Sequence, residues 1–292
     1  MNGKTGIVSN DVKKCVDQVI RFLGKDIKLG MTLALGKPIL IANEFYRRAK
    51  EDPSINLKLL TALPLEKPRG HSELERRFLK PIADRVFDGV IDFDFMLDLR
   101  DGKLPDNVAI YEFFCKAGAN LNNPHYQMNH ISSNYTHCAR DAFDLGCNVF
   151  AQLISVREFD GEKKYSMACN TDICLEAAAV IKQKRAKGEK AVIIAEANVK
   201  MPFMYGDAVV DADTYDIILQ GEEFNYTLFG PPKDAVALPD HMIGINVSTL
   251  VRDGGTIQVG IGALGDAIVA GLVMRNTHNP VYREIQIGRA HV

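Results

Sequence analysis

The stretch TIQVGIGALGDAIVAG (256–271) decides the fold, because an apolar run meets three glycines and then a helical pattern. Gly260, Gly262 and Gly265 form G-x-G-x-x-G, the spacing of a tight loop between a strand and a helix. Such glycines let backbone N–H groups approach a ligand, and the next helix adds positive partial charge. The pattern predicts a strand over 256–260 and a helix from about Leu264. The loop between them suits a dinucleotide pyrophosphate, a CoA pyrophosphate or a developing oxyanion.

Upstream of this loop, apolar strands alternate with helical patterns along the whole chain. Regular alternation of this kind is typical of βαβ units. The sequence therefore predicts an α/β fold with an open, mainly parallel sheet and helices on both faces. The predicted strands cover 32–36, 56–65, 107–114, 147–156 and 191–198, and the predicted helices cover 11–24, 39–52, 138–146 and 172–188.

Composition narrows the class of protein further. The 292 residues are 47% hydrophobic and 25% charged, with a formal net charge of -2. The chain has no Lys/Arg-rich run of the kind that nucleic-acid binding requires, and no apolar run long enough for a membrane span. Its six cysteines form no C-x-x-C pair, and no ligand spacing indicates a metal site. We expect a reduced, cytoplasmic protein with no nucleic-acid partner, no membrane association and no metal.

Several segments, in one order, resemble the acetyl-CoA hydrolase/transferase family of the class I CoA-transferase superfamily. GIGALGDAI matches the family's loop pattern G-[IV]-G-x-[IL]-x-x-A-[IV] throughout. The resemblance runs from about Lys28 to Arg283, and the chain looks most like the N-terminal portion of a longer bacterial member. The other matching segments are GMTLALGKP (30–38), NLKLLTAL (56–63), MNHISSNYTHCARD (128–141), KMPFMYGDAVVD (200–211) and HMIGINVSTLVRDGG (241–255).

The resemblance implies covalent CoA transfer. A glutamate attacks an acyl-CoA thioester, CoA is captured as a glutamyl-CoA thioester, and a carboxylate or water completes the reaction. CoA and acetyl-CoA are then substrates, no cofactor is permanently bound, and a homo-oligomer is one possible state. By the same resemblance, the loop that contacts CoA consists of Gly260, Ile261, Gly262, Ala263 and Leu264.

A polar stretch after the predicted strand 107–114 is a second candidate site. Hydrogen-bonding side chains at a strand end are where α/β proteins bind ligands. We expect a substrate pocket here, and the alternative is a Ser/Asn-rich turn that caps the helix from Cys138. The residues concerned are Asn129, Ser132, Ser133 and Asn134.

The chain departs from the family at the nucleophile. In the family that glutamate follows the glycine loop in a segment resembling G-x-x-S-E-M, and no such segment occurs here. Glu284 stands in a different context and looks like a solvated helical residue. We therefore assign no catalytic residue to this chain and expect the glutamate to lie downstream.

The last six residues (287–292) offer a reason for that departure. IGRAHV is what ATC GGA AGA GCA CAC GTC encodes, and that DNA resembles a widely used sequencing adapter. We expect an adapter-derived tail without function. The preceding domain (1–286) would then be incomplete at its C-terminal end, with the C-terminal domain missing and the fragment inactive.

Two other interpretations stay open at this point. The chain could be a CoA-binding subunit completed by a partner chain that carries the glutamate. It could also be a fragment of an NAD-binding oxidoreductase, with Glu284 as the ribose-binding acid. The second interpretation needs further strands after the loop, for which the sequence leaves little room.

Overall fold

The predicted apolar strands pair into one sheet in the computed structural model. The model describes residues 6–118, 120–230 and 233–288, without the side chains of Asp172, Ile287 and Gly288. Contacts divide the chain into two compact units, Met1–Phe229 and Gly230–Val292, and the sheet belongs to the first. The boundary expected at residue 286 stays a prediction. The strands are β1 (Ile7–Ser9), β2 (Asp26–Leu33), β3 (Asn56–Ala62), β4 (Val108–Glu112), β5 (Val149–Phe159), β6 (Glu162–Ser166), β7 (Val192–Ala197), β8 (Val209–Val210) and β9 (Ile217–Leu219).

Seven of these strands are parallel neighbours in the order β1-β9-β7-β5-β2-β3-β4. Strand β6 pairs antiparallel with β5, and β8 pairs antiparallel with β6. The chain builds outward from β2 to β3 and β4, and then returns to build β5, β7 and β9 on the other side. The connections therefore change direction between β2 and β5. The expected open, mainly parallel α/β sheet is confirmed.

Helices cover both faces of the sheet, as predicted. One face packs on α1 (Val12–Leu23), α2 (Ile39–Glu51), α4 (Asp94–Arg100) and α5 (Pro124–Asn129). The other face packs on α6 (Cys138–Asp144) and α7 (Thr171–Ala186). Helix α3 (Glu73–Val86) buries no residue and stays at the surface.

The second unit contains three helices among its described residues: α8 (Leu238–Ser248), α9 (Ala263–Thr277) and α10 (Asn279–Gly288). Helices α8 and α9 pack against each other, and the Tyr282 hydroxyl of α10 lies 2.8 Å from the Ser248 hydroxyl. Across the part of the chain that the structure describes, no helix is long and apolar enough to cross a membrane.

Two local expectations were wrong. The strand expected over 256–260 does not form, because Thr256–Gly260 is exposed and has no strand beside it among the described residues. Strand β2 ends at Leu33, and the expected strand end at Gly36 is a 3-10 turn instead. Helix α3 runs through Pro81 without a break, since its exposed position leaves room for the local distortion that the proline ring causes.

Candidate active site

The carboxyl ends of β2, β3 and β4 form the edge of the sheet where the direction of the connections reverses. In open parallel sheets, ligands bind in the crevice at this position. The backbone is strained here: Ala34, which follows β2, has φ 47°, and Leu63, which follows β3, has φ 48°. Such conformations cost non-glycine residues about 1–3 kcal/mol and cluster at functional sites. We refer to these two turns as the carboxyl-edge turns.

Lys37 is the charged residue that holds the carboxyl-edge turns together. Its side chain is buried, and its Nζ donates to the carbonyl oxygens of Leu63 at 3.1 Å and Ala34 at 3.4 Å, and to that of Ala62. Burial lowers the pKa of Lys37, while the neighbouring carboxylate of Glu112 raises it. An ammonium group has three protons to donate, and here three carbonyls receive them.

Glu112 is the last residue of β4 and pairs in register with Thr61 of β3. Its carboxyl group is buried, and among the described residues neither oxygen has a hydrogen-bond partner. Burial raises the pKa of Glu112, and the charge of Lys37 opposes this shift. The carboxyl edge therefore holds two buried ionisable groups, one basic and one acidic.

Glu196, near the end of β7, fixes the start of α2. Its carboxylate accepts hydrogen bonds from the Ile41 amide at 3.0 Å and from the Tyr226 hydroxyl at 2.7 Å. Burial raises the pKa of Glu196 to about 7. The N-cap residue of α2, Pro38, offers no side-chain acceptor, so a carboxylate from another strand takes that role.

The polar segment 129–134 lies at the carboxyl end of β4. The Ile131 amide donates to the Glu112 carbonyl at 2.9 Å. Asn129 donates through its side chain to the His125 carbonyl at 2.8 Å, and the Ser133 hydroxyl donates to the Asp141 carboxylate at 2.5 Å. Ser132 and Asn134 are exposed. The structure thus places the segment at the edge where ligands bind, while a binding role for these four residues stays a prediction.

A small apolar cavity of about 30 Å³ lies beneath this edge, inside the first unit. That is room for about two water molecules or a very short aliphatic chain. Its lining includes Leu33, Leu60, Ala62, Phe113, Tyr135 and Cys138. Tyr135 and Cys138 follow directly on the polar segment, so the cavity and the segment belong to one region.

The predicted glycine loop lies in the second unit, at the start of α9. Gly262 has φ 141°, which favours glycine, and a Cβ on Gly265 would stand 2.2 Å from the Gly260 carbonyl oxygen. Ile261 is fully exposed, and the N-cap residue of α9 makes no side-chain hydrogen bond to the first amides of the helix. The loop and the helix after it agree with the sequence. A dinucleotide fingerprint also requires a strand directly before the loop, and the described residues 255–260 form none.

Sequence reasoning did not identify Lys37, Glu112 or Glu196. A usable signal was present, because each is a lone charge that ends a mainly apolar run of sequence: TLALGK, VAIYE and AVIIAE. Glu284 is exposed on α10, as expected. Residues 289–292 of the expected adapter-derived tail lie outside the described residues. No group of His, Cys, Asp and Glu suited to a metal ion occurs in the described ranges.

Comparison with known proteins relates part of the chain to a CoA-transferase. No protein-family model matches the chain. A 127-residue segment is 32% identical to 4-hydroxybutyrate coenzyme A transferase of Clostridium kluyveri, covering 44% of this chain and 26% of that enzyme. This segment of the chain is therefore similar in sequence to part of a CoA-transferase.

Solved structures share the fold of the chain. RipA from Yersinia pestis matches with a TM-score of 0.53 at 18% identity, over 88% of this chain and 51% of that chain. A glutamate-to-aspartate variant of RipA matches with a TM-score of 0.56 at 20% identity. That match covers 91% of this chain and 53% of the RipA chain. The chain spans about half the length of RipA, and the match to the curated enzyme covers about a quarter of it.

Proposed function

We propose that this chain is a member of the CoA-transferase family and part of an enzyme that moves CoA from an acyl-CoA to a small carboxylate, or to water as an acetyl-CoA hydrolase. The match to 4-hydroxybutyrate coenzyme A transferase carries the proposal. The position of the carboxyl-edge turns at the reversal point of the sheet supports it.

The proposed reaction runs through a glutamyl-CoA thioester. A glutamate carboxylate attacks the thioester carbonyl, giving a mixed anhydride and the CoA thiolate. The thiolate then attacks the glutamyl carbonyl of the anhydride, which releases the donor's carboxylate. Attack by the acceptor carboxylate and return of the thiolate complete transfer, whereas attack by water completes hydrolysis. Each step exchanges one nucleophile for another at a carbonyl.

The nucleophilic glutamate of this proposal lies outside the chain. Glu284 follows the glycine loop, but it is exposed on α10 and its neighbours differ from the family's segment. The coverage of about half of RipA leaves room for a glutamate on another part of a longer protein or on a partner chain. The CoA-binding subunit is therefore the second candidate function, and in both cases this chain alone has no turnover.

The exposure of each candidate segment indicates which part of acyl-CoA it would contact. The largely exposed loop 260–264, at the uncapped start of α9, suits the CoA pyrophosphate or a developing oxyanion. The segment 129–134 and the apolar cavity beneath it suit the acyl end, since an aliphatic chain gains free energy when it leaves water. We also propose a cytoplasmic location, because the described cysteines form no disulfide.

Hydrogen exchange on the purified chain tests the proposal. CoA should slow amide exchange at 260–264, and NADH at the same concentration should not. Gly262→Ala, which forces a side chain onto φ 141°, should abolish the protection. Gly188→Ala is the matched control, because Gly188 also has positive φ (81°) but lies in the turn after α7. Protection by NADH alone, or none with CoA, would refute the CoA assignment.

A further inference from the structure

We propose that the Lys37 ammonium group acts as a built-in monovalent cation whose carbonyl cage sets the carboxyl-edge turns. Three backbone carbonyls converge on one point, and Lys37 Nζ occupies that point. Carbonyl cages of this kind replace the hydration shell of small cations in proteins. The cage is a cation site that the protein fills with its own side chain.

The cage is built from strained backbone. Ala34 and Leu63 supply two of its carbonyls, and both residues have positive φ. Backbone in this region persists only when surrounding contacts fix it. The cation therefore offsets strain in two turns at once, one after β2 and one after β3.

Charge balance supports the same role. Glu112 lies beside the cage as the opposing buried charge, and its own oxygens have no hydrogen-bond partner among the described residues. Removing the ammonium group would leave three inward carbonyls without a donor in a buried space. Since buried polar groups without partners are unfavourable, the vacated cage should take up a cation from solution.

Lys37 is thus a positioning residue for the site. Its charge, more than its apolar stem, keeps the carboxyl-edge turns in the conformation that borders segment 129–134. The link to acyl-CoA binding rests on the proposed function, whereas the cation cage does not. A chain that fails to bind CoA can still show the cage, so the two proposals fail separately.

Chemical rescue tests the cage. Lys37→Ala removes the side chain beyond Cβ, which leaves a space that n-propylammonium fits. This variant should lose about 5 °C or more in Tm, and n-propylammonium chloride should restore most of the loss relative to sodium chloride at equal ionic strength. Neutral n-propanol at the same concentration should not restore it. Lys163→Ala, at an exposed position on β6, should show neither the loss nor the rescue.

A second variant separates charge from volume. Lys37→Met keeps the stem without the charge, so it should exchange amides faster around residues 34–37 and 62–65 and should gain nothing from n-propylammonium. If Lys37→Ala does not fold on expression, refolding from urea in n-propylammonium and in tetramethylammonium chloride replaces the Tm series. Recovery only with n-propylammonium supports the cage. Equal recovery in both salts, or a Lys37→Met variant as protected as the wild type, overturns it.

Discussion

Glu196 gives the clearest prediction at the scale of a single residue. Burial raises its pKa from 4.5 to about 7, so between these values the native state keeps a proton that the unfolded chain releases. Stability therefore falls as pH rises from 4.5 to about 7, by about 3 kcal/mol at most, and then levels off. Glu196→Gln should remove this fall. Urea unfolding at pH 5 and pH 7.5 measures it.

The exposed Glu176 on α7 provides the matched control for that experiment. Glu176→Gln should leave the pH dependence of the wild type unchanged. If Glu196→Gln kept the full dependence as well, another buried group would be responsible. Glu112 would be the first to test, because burial raises its pKa in the same direction.

The residue scale also shows where sequence reasoning stops. The apolar runs predict that the ends of β3, β4 and β7 are buried, and they are. A lone acid at such an end is ambiguous, because an exposed strand end and a buried carboxylate have the same sequence. Only the fold brings the Ile41 amide to Glu196, 155 positions away. The Glu196 carboxylate that accepts from the start of α2 therefore depends on a long-range contact, which a local sequence pattern does not predict.

At the scale of elements, the predicted helices and strands are correct where a segment has a clear periodic spacing of apolar residues. Strands β3 and β7 and helices α1 and α2 follow from their apolar spacing. The hairpin of β5 and β6 was not predicted, although its Asp160-Gly161 turn carries a known signal, with φ 51° and 83°. The prediction of a strand over TIQVG (256–260) failed for a different reason. A strand needs a neighbour, and the pattern alone does not state whether one is present.

Helix α3 gives a prediction at this scale. Ser72 and Glu75 form a capping box, and the helix buries no residue, so local contacts alone hold its first turn. Ser72→Ala should destabilise that turn by about 1 kcal/mol and speed amide exchange over 73–77 roughly fivefold. Ser72→Asp keeps an N-cap acceptor and should exchange like the wild type. A drop in global Tm with Ser72→Ala would contradict the local character of this helix.

At the scale of the whole molecule, the two units differ in the size of their hydrophobic cores. The first unit has the sheet and buried clusters on both of its faces. The second has three described helices and few buried side chains, which is a small core for independent stability. Residues 1–229 expressed alone should therefore unfold cooperatively in urea, and residues 230–292 alone should not. Cooperative unfolding of the shorter piece would contradict this.

The segment 256–261 should also determine how the whole chain behaves in solution. Ile257, Val259 and Ile261 alternate along it with exposures of 42%, 37% and 103%, and no strand pairs with it among the described residues. Exposed, unpaired β-forming segments associate with one another. Ile257→Lys places a charge in this segment, outside the loop proposed to bind CoA, and should reduce light scattering at high protein concentration. Val8→Lys, at a position of β1 that is 52% exposed, is the control for added charge alone. Equal improvement in both variants would mean that net charge, and not the unpaired segment, governs association.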